Sequence, residues 1–179
     1  MGATIRSEEA TVDVAALLDE LYGRLDDHVR RAVEGLDAEE LAIPPGPGAN
    51  TIGWLVWHLT RVQDHHVAEL LDGEQLWPRW AHRFGLEPDP SNTGYGHGPE
   101  EVAAVRPDGP EACIGYYDAV AARTRELVRG LTAEDLDRVV DEGWDPPVTL
   151  GVRLVSIADD DLQHAGQAGY VRGLLTADG

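Results

Sequence analysis

The chain reads as an all-α four-helix bundle with a long crossover link between its second and third long helices. Three observations predict this. Four long stretches carry apolar side chains at three-four spacing, the mark of an amphipathic helix. Nothing outside the short stretch from Val139 to Leu150 reads as strand. The two halves of the sequence also echo one another.

The first helix is expected from Val12 to Leu36, with Leu17, Leu18, Leu21, Leu25, Val29, Ala32, Val33 and Leu36 as its apolar set. Thr11 stands where an N-cap belongs, since its hydroxyl can accept from a free N–H of the first turn. The second helix spans Thr51 to Leu71 on Ile52, Leu55, Val56, Leu59, Val62 and Leu70, and Gly73 is placed to end it. The third opens with Pro110 in its first turn and stops at Leu127 or Val128, before Gly130. The fourth runs from Leu150 to Leu175 on Leu154, Ile157, Ala158, Leu162, Ala165, Ala168 and Val171. Four such helices with no sheet to cover give a bundle.

Between the second and third helices lies a Gly/Pro-rich stretch from Glu74 to Gly109. A link of that length is expected to pack over something, and Trp77, Trp80 and Phe84 make it too apolar to be solvated. It should cross the bundle and partly roof one end. The echo is ordered: Gly35-Leu-Asp-Ala-Glu-Glu-Leu41 matches Gly130-Leu-Thr-Ala-Glu-Asp-Leu136, and Thr51-Ile-Gly matches Thr149-Leu-Gly. A duplication of a helix–turn–helix half explains this. It puts the second and fourth helices in equivalent, facing positions about a pseudo-two-fold.

A chain of 179 residues with 42% hydrophobic content is expected to form one domain over 1–179 around one core. Acidic residues number 33 against 14 basic ones, every one an Arg, for a net charge of −19. Such a body is repelled by phosphate backbones and anionic lipid, so no nucleic-acid and no membrane partner is expected. No apolar run reaches the roughly 18–20 residues that span a bilayer. The opening Met1-Gly-Ala-Thr-Ile-Arg-Ser-Glu-Glu lacks an apolar segment, so a secretion leader is not expected and the location expected is cytoplasmic. The single Cys113 excludes an internal disulfide and reads as core packing, with nothing basic beside it to activate a thiolate. Five Trp are hard to bury in one small bundle, which suggests a homodimer.

The chemistry concentrates on the fourth helix at Asp159-Asp160-Asp161. Three successive carboxylates fan over roughly 200° of a helix wheel, so they cannot all face water. Asp161 and His164 fall on the apolar face, Asp160 at its edge and Asp159 outside. A buried carboxylate needs a partner. Asp160 and His164, four residues apart, lie one turn apart on one face and can converge on a metal. The plain alternative is a side-chain hydrogen bond, and two ligands alone hold a metal poorly.

The second helix offers a third ligand in His58, at the edge of its apolar stripe and one turn after Trp54. His65 falls close to the His58 face and His66 nearer the stripe's centre. His28 lies near the seam of the first helix, while His82 and His97 sit uncommitted in the link. Gln167, one turn beyond His164, is placed either to orient a ligand or to satisfy backbone in the next helix. Tyr170 and Arg172 point away, toward a structural contact. Tyr116, Tyr117 and Arg123 are candidates to line a substrate pocket.

Two of these segments resemble the DinB-like metal-dependent superfamily, which includes mycothiol-dependent maleylpyruvate isomerases and bacillithiol transferases. Thr51-Ile-Gly-Trp-Leu-Val-Trp-His58-Leu is similar to the segment holding that family's first ligand histidine. Asp160-Asp-Leu-Gln-His164-Ala-Gly-Gln167-Ala-Gly-Tyr-Val-Arg-Gly173 resembles its H-x-x-x-H-x-G-Q and Y-x-R-G stretch. The commonest pattern has His where Asp160 stands; the isomerase branch has a Glu there.

The resemblance, which spans essentially the whole chain, implies a divalent ion on His58, Asp160 and His164. Asp161 is the reserve for Asp160, and His65 or His66 for His58. Two imidazoles and a carboxylate suit zinc first and nickel second. The activity implied is metal-dependent transfer or isomerisation of a small electrophile by a low-molecular-weight thiol, mycothiol being the expected one. The alternatives are a non-catalytic metal-binding or stress-related bundle, and a hydrolase that uses metal-activated water.

Overall fold

The computed structural model describes residues 13–177. In chain order it contains α1 (Val14–Val33), α2 (Ala38–Leu41), α3 (Ile52–Leu70), α4 (Pro99–Ala104), α5 (Pro110–Arg129), β1 (Val139–Asp141), β2 (Val148–Thr149) and α6 (Leu150–Thr176). The four long helices make the bundle. α1 packs on α5 and α6, and α3 packs on the same two, so α3 and α6 lie side by side. Leu25, Val29, Leu55, Leu59, Val120, Leu154 and Ile157 are among the side chains meeting in the core. No helix among the described residues is long and apolar enough to cross a membrane.

Helix ends follow local chemistry. The α1 cap is Asp13, whose Oδ1 accepts from the Ala16 N–H at 2.7 Å; the expected cap, Thr11, lies outside the described residues. α1 also stops at Val33, short of Leu36, because Gly35 takes a left-handed turn at φ 73°. Two side chains assigned to apolar stripes, Leu17 on α1 and Leu162 on α6, face outward instead.

The internal echo is visible in atoms. Thr51 accepts from the Trp54 N–H, and Thr149 accepts from the Val152 N–H, so both second helices open on the same cap. Asp37 accepts from the N–H groups of Glu39 and Glu40 and closes a capping box with Glu40; in the second half the equivalent Thr132 donates its N–H and its hydroxyl to Asp135. A Cβ on Gly53 would lie 3.0 Å from the Leu41 carbonyl oxygen, and one on Gly151 would lie 3.4 Å from that of Leu136. The equivalent glycines let equivalent leucine carbonyls approach.

The link crosses the bundle, as its apolar content leads one to expect. It lies along the flank made by α3 and α5, with Trp77 against Trp57 and Tyr116, and Trp80 so close to α5 that a Cβ on Gly115 would meet its ring at 2.6 Å. α3 is therefore buried nearly all round, by the core on one side and by the link on the other. Trp54, Trp57 and Trp77 are buried in this way and only Trp144 is largely exposed, so the tryptophan argument for a dimer falls away. The β1–β2 pair is antiparallel, with Val139 opposite Thr149, and sets Asp141 beside Arg153 on α6 at 2.8 Å.

Candidate metal centre

Adjacent α3 and α6 bring His58, Asp160 and His164 together, with one potential ligand atom from each lying within 4.8 Å of the others. The imidazole rings of His58 and His164 meet edge to face at 4.7 Å. His164 Nε2 lies 3.6 Å from Asp160 Oδ1. The Asp160 Oδ2 atom is buried and has no hydrogen-bond partner.

Each histidine is oriented through its other nitrogen. His58 Nδ1 lies 2.6 Å from the Thr93 carbonyl oxygen. A carbonyl only accepts, so Nδ1 carries the proton and Nε2 keeps its lone pair for the cluster. Gln167 turns its Oε1 to His164 Nδ1 at 3.0 Å, with the same consequence. Of the two roles open to Gln167, the geometry selects the orienting one. Burial holds the His58 imidazole below its usual range, against the opposing pull of the Thr93 carbonyl and the Asp160 charge. The neighbouring Asp160 carboxylate instead raises His164 above its usual range, in spite of burial.

Two imidazole nitrogens and a carboxylate whose Oδ2 is buried and unpartnered are the donor set that a divalent ion satisfies. These residues fit the ion implied by the resemblance.

The shell behind the cluster comes largely from the link. Trp54 stacks on His58 at 4.6 Å, and its indole N–H donates to His97 Nδ1 at 3.2 Å. His97 Nε2 then donates to Asn92 Oδ1 at 2.9 Å. His97, uncommitted by its place in the link, thus belongs to the layer that holds Trp54. Gly94 crosses directly above: at φ 92°, a Cβ there would lie 2.8 Å from His58 Nδ1 and 2.7 Å from the Trp57 ring.

The link is anchored by a buried pair that sequence reasoning missed. Asp64 accepts from the N–H groups of Leu76 and Trp77 and from the Tyr116 hydroxyl, at 2.8–2.9 Å. Arg61 donates to the carbonyls of Pro90 and Asn92 at 3.0 Å and lies over the Trp77 ring. The available signal was an Arg and an Asp one turn apart in an otherwise apolar helix.

The remaining candidates separate cleanly. Asp161 is not in the cluster; it is fully buried toward Tyr22 and Tyr117 with both carboxylate oxygens unpartnered, and burial and the Asp160 charge push its carboxyl well above the usual range. His65 and His66 also stand apart and gather around Glu69 at 3.3 and 3.1 Å. Tyr116 is consumed by Asp64, Tyr117 donates to Asp26, and Arg123 donates to the Glu74 carbonyl, so none of the three lines the site. His28 and His82 are exposed. Arg172 donates to the Ala32 carbonyl, a structural contact. Cys113 is buried, with its thiol pushed up to about 12 by desolvation, and is no nucleophile.

A bundle with His58 on its second long helix, Asp160 and His164 on its fourth, and a long link between the second and third is a DinB-like fold. More narrowly, the chain belongs to the mycothiol S-transferase family, whose model matches residues 17–177. It is also similar to the crystal structure of a conserved protein from Enterococcus faecalis. That likeness has a TM-score of 0.85 and 31% identity, and covers 93% of this chain and 99% of the other. No curated protein matches the chain. Family membership makes a mycothiol-related transferase-like function the coarse description of this protein.

Proposed function

We propose that the chain is a metal-dependent thiol transferase that joins mycothiol to a small electrophile at His58, Asp160 and His164. The observation that carries this reading is the convergence of these three side chains around the unpartnered Asp160 Oδ2, with both imidazoles turned by Thr93 and Gln167 to offer Nε2. A divalent ion held there, zinc first and nickel second, supplies a Lewis acid that lowers the pKa of a thiol brought to it.

The protein's own part is positional. Trp54 and Thr93 fix His58, Gln167 fixes His164, and the link covers the α3 side of the site. The overall reaction is R–SH + R′–X → R–S–R′ + HX. One carbon–sulfur bond forms, the C–X bond breaks with its electron pair going to X, and the thiol proton ends in HX. Cys113 takes no part.

Elemental analysis together with thiol consumption tests the reading. Metal-loaded protein should consume mycothiol with a model electrophile, while metal-stripped protein should not. Electrophile loss without thiol consumption would favour hydrolysis. Metal binding without turnover of any electrophile would favour a non-catalytic bundle.

A second copy of the chain is the partner suited to the bare outer face of α6, where Val152, Val155, Leu162 and Tyr170 are exposed. The equivalent face of α3 is covered by the link. Light scattering at micromolar concentration should give the mass of a dimer; a monomer mass contradicts this.

A further inference from the structure

A cavity of about 700 Å³ lies beside the one at the metal cluster. It opens where the end of α3 meets β1 and the start of α6, and it is lined by Glu69, Gln75, Arg138, Asp141 and Arg153. A smaller cavity of about 350 Å³ contains His58 and Asp160 of the cluster. The two share His65 and His66 as a common wall. From His58 to His66 the helix rises roughly 12 Å. A ligand with its reacting atom at the cluster therefore reaches the larger cleft with one or two rings.

Two polar groups of the cleft are free to take a ligand. The exposed Arg138 side chain makes no hydrogen bond or ion pair among the described residues, and Gln75 Oε1 is a buried acceptor without a partner. Arg153 spans the floor, donating to Asp141 and lying against His66. Glu69 closes the α3 side between the two histidines. Two guanidinium groups thus face the carboxylates of Glu69, Asp72 and Asp141. Those carboxylates repel a simple anion, and the guanidinium groups repel a simple cation. The guanidinium so close to His66 likewise disfavours a second metal on His65, His66 and Glu69. An uncharged ligand rich in hydroxyls fits, because each hydroxyl donates to a carboxylate or amide oxygen and accepts from a guanidinium.

We propose that this cleft binds the uncharged, hydroxyl-rich end of the thiol cosubstrate, a sugar joined to a cyclitol, while the sulfur end lies at the cluster. The proposal rests on the thiol-transfer reading and extends it. Mycothiol has this two-ended form, an N-acetylcysteine joined by an amide to a glucosaminyl inositol.

The test is calorimetric titration with two halves of that molecule: N-acetylglucosaminyl inositol, which lacks the thiol, and N-acetylcysteine, which lacks the rings. The ring fragment should bind metal-loaded and metal-stripped protein alike. Arg138→Ala and Glu69→Gln should each weaken it about tenfold or more and raise the KM for intact mycothiol more than they change kcat. Both side chains are exposed, so neither change threatens the core. N-acetylcysteine should bind only the metal-loaded protein and be indifferent to both substitutions. Ring-fragment binding that both variants leave intact, or no ring-fragment binding by a protein that still transfers mycothiol, overturns the cleft assignment and leaves the function standing. Ring-fragment binding that responds to both variants, in a protein that transfers no thiol with any metal, supports the cleft and overturns the transferase reading.

Discussion

The carbonyl of Thr93 accepts the Nδ1 proton of His58 at 2.6 Å. A residue of the link thereby decides which nitrogen of an α3 histidine faces the cluster. The link reaches this point because Arg61 holds the two preceding carbonyls of Pro90 and Asn92, and because Gly94 passes over His58 without a side chain.

Gly94→Ala should therefore damage the site more than the fold. The new methyl meets His58 and Trp57 inside van der Waals distance, in a left-handed conformation that favours glycine. The expected stability loss is about 1–3 kcal/mol, with metal affinity falling about 10- to 100-fold as the Thr93 contact is displaced. Urea denaturation and competitive chelation measure the two effects separately.

Asp160 and Asp161 should behave oppositely. Asp160→Leu removes a proposed ligand, and most bound metal should be lost. Asp161→Leu replaces two buried, unpartnered oxygens by apolar atoms of similar volume. It should keep the metal and raise stability by about 1–3 kcal/mol. Metal loss in Asp161→Leu alone would make Asp161 the ligand.

Much of this was legible in residue spacing, and the limits have physical causes. The three-four periods of the long helices carry the bundle, since a helix in a bundle must bury one stripe. The order of carboxylates on α6 follows from the same wheel: Asp161 is buried, Asp160 sits at the edge and Asp159 is exposed. The wheel fails on α3. It puts His66 nearer the buried centre than His58, yet His58 is 6% exposed while the His66 side chain keeps 25%. A single stripe cannot describe a helix whose second side is covered by a link. The role of His97 was invisible for a related reason, because its partners Trp54 and Asn92 meet it through a loop without period.

Metal affinity should fall on acidification, with His164 as the controlling group. A metal needs the free base. His58 is already neutral near pH 7, because burial lowers its pKa. The proton on His164 is held by Asp160 above the ordinary imidazole value of 6.5. Above that raised pKa, affinity should level off; below it, affinity should drop about tenfold per pH unit. In metal-free protein the same proton stabilises the fold. That contribution is complete below the unfolded-state pKa and is lost as pH rises through the folded one. Chelator competition from pH 5 to 9 in the wild type and in His164→Gln measures the first effect, and a pH-independent affinity in the wild type would contradict it.

The most direct measurement is metal content by elemental analysis of the wild type and of single variants, each reconstituted with zinc and desalted. About one ion per chain is expected in the wild type and in His82→Ala, whose side chain is exposed and takes no part in the cluster. Most of that ion should be lost in His58→Ala, Asp160→Ala and His164→Ala, with each variant still folded by circular dichroism. Equal metal content across all five proteins, or none in the wild type, would contradict the assignment of these three ligands.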